Sequence, residues 1–323
     1  MKQVPCTRLA PSPTGPLHLG NARTFLLNWA IARRNGWKVV FRHEDLDPER
    51  VPDGGHEAVE SILKWLGLDW DGEPLRQRDD LAPYREAMNT LEGQGRIFSC
   101  GLSRGEIRRA ANAPHAADDG PSYPPSLRPE DPAAWTFKDT ETNYRFKVEP
   151  GVETIEDLVA GTHQIDPAAD AGDFVVWTRA GMPSYQLAVV VDDARQGVTE
   201  VFRGDDLLPS TARQLVLGRA LGLAAPRYWH VPLVHGPDGQ RLAKRHGGAE
   251  LDTFRQEGVP PERVIGLLAA WSGIIPEPRP LSAHAIIDQI DEDVLKNMSQ
   301  RESRDGGRRI HSPEDQAWLN ETS

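Results

Sequence analysis

Two strand-like runs joined by a single helix open the chain, and this spacing leaves few folds available. Thr7 to Ala10 reads as a short strand, PSPTGP (11 to 16) as a loop, Leu19 to Arg34 as a helix and WKVVFR (37 to 42) as a second strand. Ala22, Leu26, Ala30 and Arg33 fall on related faces of that helix, and Asn35-Gly36 supplies its stop. A second helix over Gly55 to Leu66 groups Val59, Ile62, Leu63 and Leu66 and ends at Gly67. Strand, helix, strand, helix in this order predicts an α/β protein built on a parallel sheet.

Further along, Tyr84 to Gln94 reads as a helix, after which residues 96 to 172 lose any sustained apolar period and contain the loop-like run NAPHAADDGPSYPPSLRPEDP. Apolar order returns at Phe174 to Trp177. The run Leu187 to Val191 in YQLAVVVDD suits a strand buried on both faces. A helix over Ser210 to Leu221, with Ser210 as its cap, and a strand over Trp229 to Val234 complete the sheet, and PPERVIGLLAAWS (260 to 272) carries helical periodicity. The fold class expected is a Rossmann-type doubly wound parallel sheet, split by an insertion and followed by a small helical domain. In residues, 1–95 and 173–248 are the two halves of the nucleotide-binding domain, 96–172 the insertion, 249–280 the helical domain and 281–323 a polar, mobile tail. No internal repeat is visible.

Composition narrows the class. The 323 residues carry 37 Lys and Arg against 48 Asp and Glu, a net charge of −11, which disfavours indiscriminate binding to polyanions. Two cysteines, Cys6 and Cys100, cannot build a disulfide framework or a four-cysteine metal site. Mean hydropathy is −0.52. No window approaches a bilayer span, and MKQVPCTRLAPSPTG lacks the apolar middle of a secretory signal. The expectation is a cytoplasmic monomer without membrane contact.

The strongest chemical signal is the junction RLAPSPTGPLHLGNA. A helix N-terminus at the end of a parallel strand offers free N–H groups and a positive dipole, which suits a phosphate. His18 can hydrogen-bond a phosphoryl oxygen as charge develops, and Gly20 admits a flat base close to the backbone. Late in the chain, Lys244 lies close to Gly247-Gly248, so a flexible loop can carry a point charge over a triphosphate. Between them, Glu44, Tyr185 and Arg203 lie near ends of expected strands, where open α/β sheets place ligands, and an arginine there can grip a carboxylate in bidentate fashion.

Taken together, RLAPSPTGPLHLGNA, RHEDLDPERV, SYQLAVVVDDARQGVTEVFRGDDLL and RLAKR resemble the class I aminoacyl-tRNA synthetases of the glutamyl type. The first block is similar to the HIGH signature of that class, with Asn21 at the second histidine. RLAKR is similar to its KMSKS signature, with Arg241 for the first lysine, Ala243 for the serine and Lys244 retained. YQLAVVVDD followed by QGVTEVFRG resembles the shortened branch of this family, and about fifty residues after the helix at 260 to 272 are too few for anticodon-binding domains. That resemblance implies activation of glutamate by ATP with Mg2+ in the absence of tRNA, then transfer of glutamate to queuosine in the anticodon of tRNA(Asp). It also implies roles for residues. Arg8, Ser12, Glu44, Tyr185 and Arg203 bind glutamate, Glu44 taking the amino group and either Arg203 or Arg8 the side-chain carboxylate. Leu9, Ala10, Pro11, His18, Gly20, Asn21 and Lys244 bind ATP, with His18 and Lys244 catalytic. The insertion would meet the acceptor and the helical domain the tRNA stem.

Relatives often hold a zinc in the insertion through a C-x-C pair and a later Y-x-x-x-C segment. Here those positions read Cys100, Leu102, Tyr123 and Leu127, so no zinc is expected and packing should hold the insertion instead. His115 reads as a surface histidine. Arg104, Arg108 and Arg109 recur at helical spacing, as a basic face for RNA or simply a solvated one. Trp70, Trp135 and Trp229 read as core or rim aromatics.

Overall fold

A computed structural model describes residues 4–110, 122–139, 142–236, 238, 242, 249–304 and 309–320. Strand β1 (Cys6–Leu9) passes through helix α1 (Leu19–Arg34) to β2 (Lys38–His43), and the two pair in parallel with Arg8 opposite Val40. After α2 (Gly55–Trp65) the chain adds β3 (Leu75–Arg76), parallel to β2, and then α3 (Ala82–Gly93). The opening βαβα unit expected from the sequence is therefore present, and β3, which the sequence reading did not include, extends it.

The next stretch holds β4 (Ile97–Cys100), α4 (Arg104–Ala110), β5 (Asn143–Phe146), β6 (Glu153–Asp157), β7 (Gly161–Ile165), α5 (Pro167–Asp170) and β8 (Phe174–Trp177). Strands β4, β5 and β8 form their own antiparallel sheet. Beyond it come α6 (Tyr185–Arg195), β9 (Glu200–Gly204), α7 (Leu208–Ala220) and β10 (Arg227–Val231). Strand β10 runs parallel to both β9 and β6, giving the order β7-β6-β10-β9. This sheet abuts β1, where Thr199 N–H donates to Cys6 O at 2.8 Å. The sheets thus interleave in sequence: β6 and β7 lie within 96–172 yet join the main layer, while β8 follows residue 172 and pairs with the insertion.

Two local expectations are corrected. Leu187 to Val191 is not a strand but the middle of α6. Leu187, Ala188 and Val191 pack with Tyr84, Ala87, Met88 and Leu91, while Gln186, Asp192 and Asp193 are buried as well. A helix buried on nearly every side shows an unbroken apolar run just as a two-sided strand does, so the run alone cannot separate them. Ser210 does not cap α7. It sits buried inside the first turn, where it accepts from Gln186 Nε2 at 3.0 Å.

The last part of the chain comprises β11 (Val234–His235), α8 (Leu251–Gln256), α9 (Pro261–Trp271), α10 (Ala283–Ile287), α11 (Glu292–Arg304), β12 (Arg309–Ile310) and α12 (Pro313–Asn320). Strand β12 pairs in parallel with β11. The 281–323 segment is thus not a loose tail over its described residues: Ile286, Ile290, Leu295, Met298 and Leu319 enter the main core, and Trp271 Nε1 donates to Asp315 at 3.0 Å. Its few apolar residues sit at helical intervals on one face, a signal diluted by the charges between them.

Candidate active site

At the C-terminal ends of β1 and β9 a cleft of about 710 Å³ opens between the 10–17 loop, the start of α1 and the 203–207 turn. Arg8, Ala10, Pro11, Ser12, His18, Gly20, Asn21, Glu44, Tyr185 and Arg203 all line it. Leu9 does not: its side chain is fully buried in the apolar core, because alternate residues of β1 face opposite sides. Lys244, Arg241, Ala243, Gly247 and Gly248 lie outside the described residues. The chain flanking that loop is nonetheless fastened to the first motif, since Leu19 N–H donates to Ala249 O at 3.0 Å and Leu251 N–H to Leu17 O at 2.9 Å.

His18 stands at the N-terminal end of α1. Its backbone N–H donates to Asn21 Oδ1 at 3.3 Å, so the asparagine closes the first turn. A Cβ on Gly20 would lie 3.1 Å from the His18 ring, so the glycine makes room for that ring. Ser12 Oγ donates to Glu44 O at 3.0 Å and Glu44 N–H to Pro11 O at 3.0 Å, which ties the β1 loop to the end of β2.

Below these loops the cleft floor is charged. Arg42 is fully buried in β2 and donates to Asp193 at 2.8 Å and to Gln196 at 2.9 Å. Arg8 donates to the same Asp193 oxygen at 3.3 Å and to Phe202 O at 3.0 Å. Burial works against the Asp193 charge, but Arg42 and Arg8 overcome it and hold its carboxyl below the usual range. Glu44 has weaker partners, Arg42 Nη2 lying 3.5 Å away, and burial raises its carboxyl above the ordinary value. On the opposite wall Arg203 is buried and donates to Thr211 at 2.7 Å, Gln214 at 2.9 Å and His230 Nε2 at 3.0 Å, with the Tyr185 hydroxyl at 3.5 Å. Burial raises the Tyr185 hydroxyl, and pushes that of Tyr228, under the Arg203 guanidinium, up to about 12.

Arg8, Arg203, Glu44 and Asp206 thus line the cleft, while Arg42 and Asp193 lie buried behind it and neutralise each other; guanidiniums beside carboxylates suit a ligand that carries both a carboxylate and an amine. Arg42, Asp193, Asp157 and His230 were not singled out from sequence. The first two stand inside motifs that were, RHEDLD and YQLAVVVDD, where a charge next to an apolar run is the available signal.

Residues 5–289 match the family model described as tRNA synthetases class I (E and Q), catalytic domain. The chain belongs to that family. A protein of Symbiobacterium thermophilum named Glutamyl-Q tRNA(Asp) synthetase is 44% identical over 88% of this chain and 92% of its own length, and one of the same name from Rhodopirellula baltica is 42% identical over 89% and 91%. A Chelativorans protein named Glutamate--tRNA ligase 2 is 40% identical over 84% of this chain but only 58% of its own. Among solved structures, glutamate-tRNA synthetase of Elizabethkingia anophelis superposes with a TM-score of 0.80 at 25% identity, covering 98% of this chain and 70% of that one. Fold and family agree with a synthetase catalytic core of the ligase type, in a family whose members use ATP. No helix among the described residues is long and apolar enough to cross a membrane.

The positions where relatives place zinc ligands do not fit a metal. Cys100 is buried beside Phe98, Ile107 and Tyr123, Leu102 is exposed, and the Tyr123 hydroxyl donates to Leu127 O at 2.6 Å. Arg145 lies 4.3 Å over the Tyr123 ring. A leucine offers no donor atom, and the tyrosine oxygen is already engaged. His115 lies outside the described residues. Arg104, Arg108 and Arg109 are exposed on α4 while Ile107 between them is buried. Trp229 is buried in the core and Trp70 and Trp135 are partly buried.

Proposed function

We propose that the chain activates glutamate with ATP to glutamyl-adenylate without tRNA, and then transfers the glutamate to queuosine in the anticodon of tRNA(Asp). The observation that carries the first half is the cleft lining, where Arg8, Arg203 and Glu44 border the same space as His18. The second half rests on relatives named Glutamyl-Q tRNA(Asp) synthetase that span nearly the same length. In this reading Glu44 and the Tyr185 hydroxyl receive the amino group. Arg203 or Arg8 takes the side-chain carboxylate, and Ser12 holds the loop between Glu44 and the nucleotide. The α-carboxylate then attacks the α-phosphorus in line and pyrophosphate leaves. Such a step needs placement and charge stabilisation more than a base. His18 at the helix N-terminus and Lys244 on its loop supply that stabilisation, and Ala10, Pro11, Gly20 and Asn21 border the nucleotide. Mg2+ travels with the ATP, on phosphate oxygens and water. The protein works as a cytoplasmic monomer, its 96–172 insertion offered to the tRNA and held without zinc.

A second reading, charging of a tRNA 3′ end, is favoured by the matches to glutamate–tRNA ligases at about the same identity. Labelled glutamate offered with queuosine-containing tRNA(Asp), the same tRNA lacking queuosine, and tRNA(Glu) separates the two. Label on the first alone supports the proposal, and label on tRNA(Glu) overturns it.

A further inference from the structure

Arg203 has five N–H groups and no acceptor, so whatever touches its guanidinium must accept. Three contacts are short: Nε to His230 Nε2 at 3.0 Å, Nη1 to Gln214 Oε1 at 2.9 Å, and Nη2 to Thr211 Oγ1 at 2.7 Å. Two are long, to the Tyr185 hydroxyl and to Leu207 O, both at 3.5 Å, and both of those residues line the cleft. The short contacts fix the plane of the guanidinium from behind. The long ones are those an incoming carboxylate can replace.

The contact with His230 also fixes a proton. Because Nε2 accepts from arginine, the ring hydrogen sits on Nδ1, which donates to Asp157 Oδ2 at 2.6 Å. His230 is fully buried, and Asp157 is itself pinned at the β6–β7 turn by the N–H groups of Val159 at 2.9 Å and Ala160 at 2.7 Å. The three residues stand side by side on β6, β10 and β9, with His230 directly opposite Arg203 in the ladder. A rigid chain of two hydrogen bonds thus runs from a backbone turn to the cation at the cleft wall. Protonated on both nitrogens, the same imidazole would set a second cation against Arg203.

We propose that His230, held by Asp157 with Nε2 unprotonated, is the positioning residue that aims Arg203 at the carboxylate of the amino-acid substrate. The inference rests on the reading of Arg203 as an amino-acid binder, and the test separates the two. Glutamate-dependent ATP–pyrophosphate exchange is measured for Arg203→Ala, His230→Leu, His230→Gln and the double variant carrying Arg203→Ala with His230→Leu. His230→Leu should raise the KM for glutamate about tenfold, the size of one lost hydrogen bond to a charged group, with the KM for ATP within about twofold. His230→Gln, whose amide oxygen can accept from Nε, should recover most of that loss. Adding His230→Leu to Arg203→Ala should cost nothing more. Should the leucine variant fail to fold, His230→Asn replaces it, since its amide is too short to span Asp157 and Arg203, and the same rise is expected. An unchanged glutamate KM in these variants, an equal rise for ATP, or a glutamine variant no better than leucine would overturn the inference. An unchanged glutamate KM in Arg203→Ala would instead remove the reading beneath it.

Discussion

At the floor of the cleft Arg8, Arg42 and Asp193 bury charge against charge, with Glu44 beside them short of a strong partner, whereas the small core under β4 is filled by Phe98, Cys100, Ile107 and Tyr123, with the Arg145 guanidinium over the Tyr123 ring and the Arg128–Asp173 pair beside it. Buried ion pairs contribute little net stability compared with apolar packing of the same volume. Two such pairs, Arg8–Asp193 and Arg42–Asp193, share one carboxylate directly behind the cleft lining, a costly arrangement next to the space a ligand would enter. The two carboxylates of the floor differ in the same sense. Asp193 is held low by two arginines, while Glu44 is raised by burial, so the first belongs to the scaffold and the second is left to be satisfied by a ligand cation.

The largest effect should come from breaking the floor. Asp193→Asn leaves Arg42 buried opposite a neutral group and should destabilise the protein by about 3–5 kcal/mol in urea denaturation; a loss below about 1 kcal/mol would contradict the structural role. Because the Asp193 carboxyl is depressed in the folded state, its contribution is present above the ordinary carboxylate range and fades as pH falls through the folded value. Lys244→Ala should lower the rate of adenylate formation by about 10²–10³-fold with thermal stability unchanged, and near-normal turnover would take the loop out of the mechanism. Glu44→Gln sharpens the contrast between the carboxylates. Its raised carboxyl means that the charged form costs stability once pH rises above the unfolded value, so the glutamine variant should be as stable as the parent or slightly more so, while its glutamate KM rises about tenfold. A clear drop in stability would make Glu44 scaffold after all. The smallest effect belongs to the insertion: Tyr123→Phe should cost about 1 kcal/mol and leave activation kinetics alone. Metal analysis of the purified protein should find no stoichiometric zinc; a retained zinc would contradict the reading of that core as held by packing.

Much of the architecture was legible because periodicity and punctuation agree over the first hundred residues, where α2 carries one apolar face and a glycine follows the end of both α1 and α2. Legibility failed where burial is complete. The apolar run of α6 has no polar face to mark its period, and the pairing of β6 with β10 joins residues about seventy apart in sequence. In the cleft, residues at strand ends and helix starts stood out by motif. Leu9 was assigned with its motif neighbours although strand alternation turns it inward. Asp157 and His230, 73 residues apart, became partners only when three strands were brought side by side.

In the proposed reading the cleft activates glutamate by itself. Glutamate-dependent ATP–pyrophosphate exchange, run with and without tRNA, tests it most directly. Exchange of similar rate in both is the predicted result; exchange that appears only when tRNA is added, or none in either, would contradict the account.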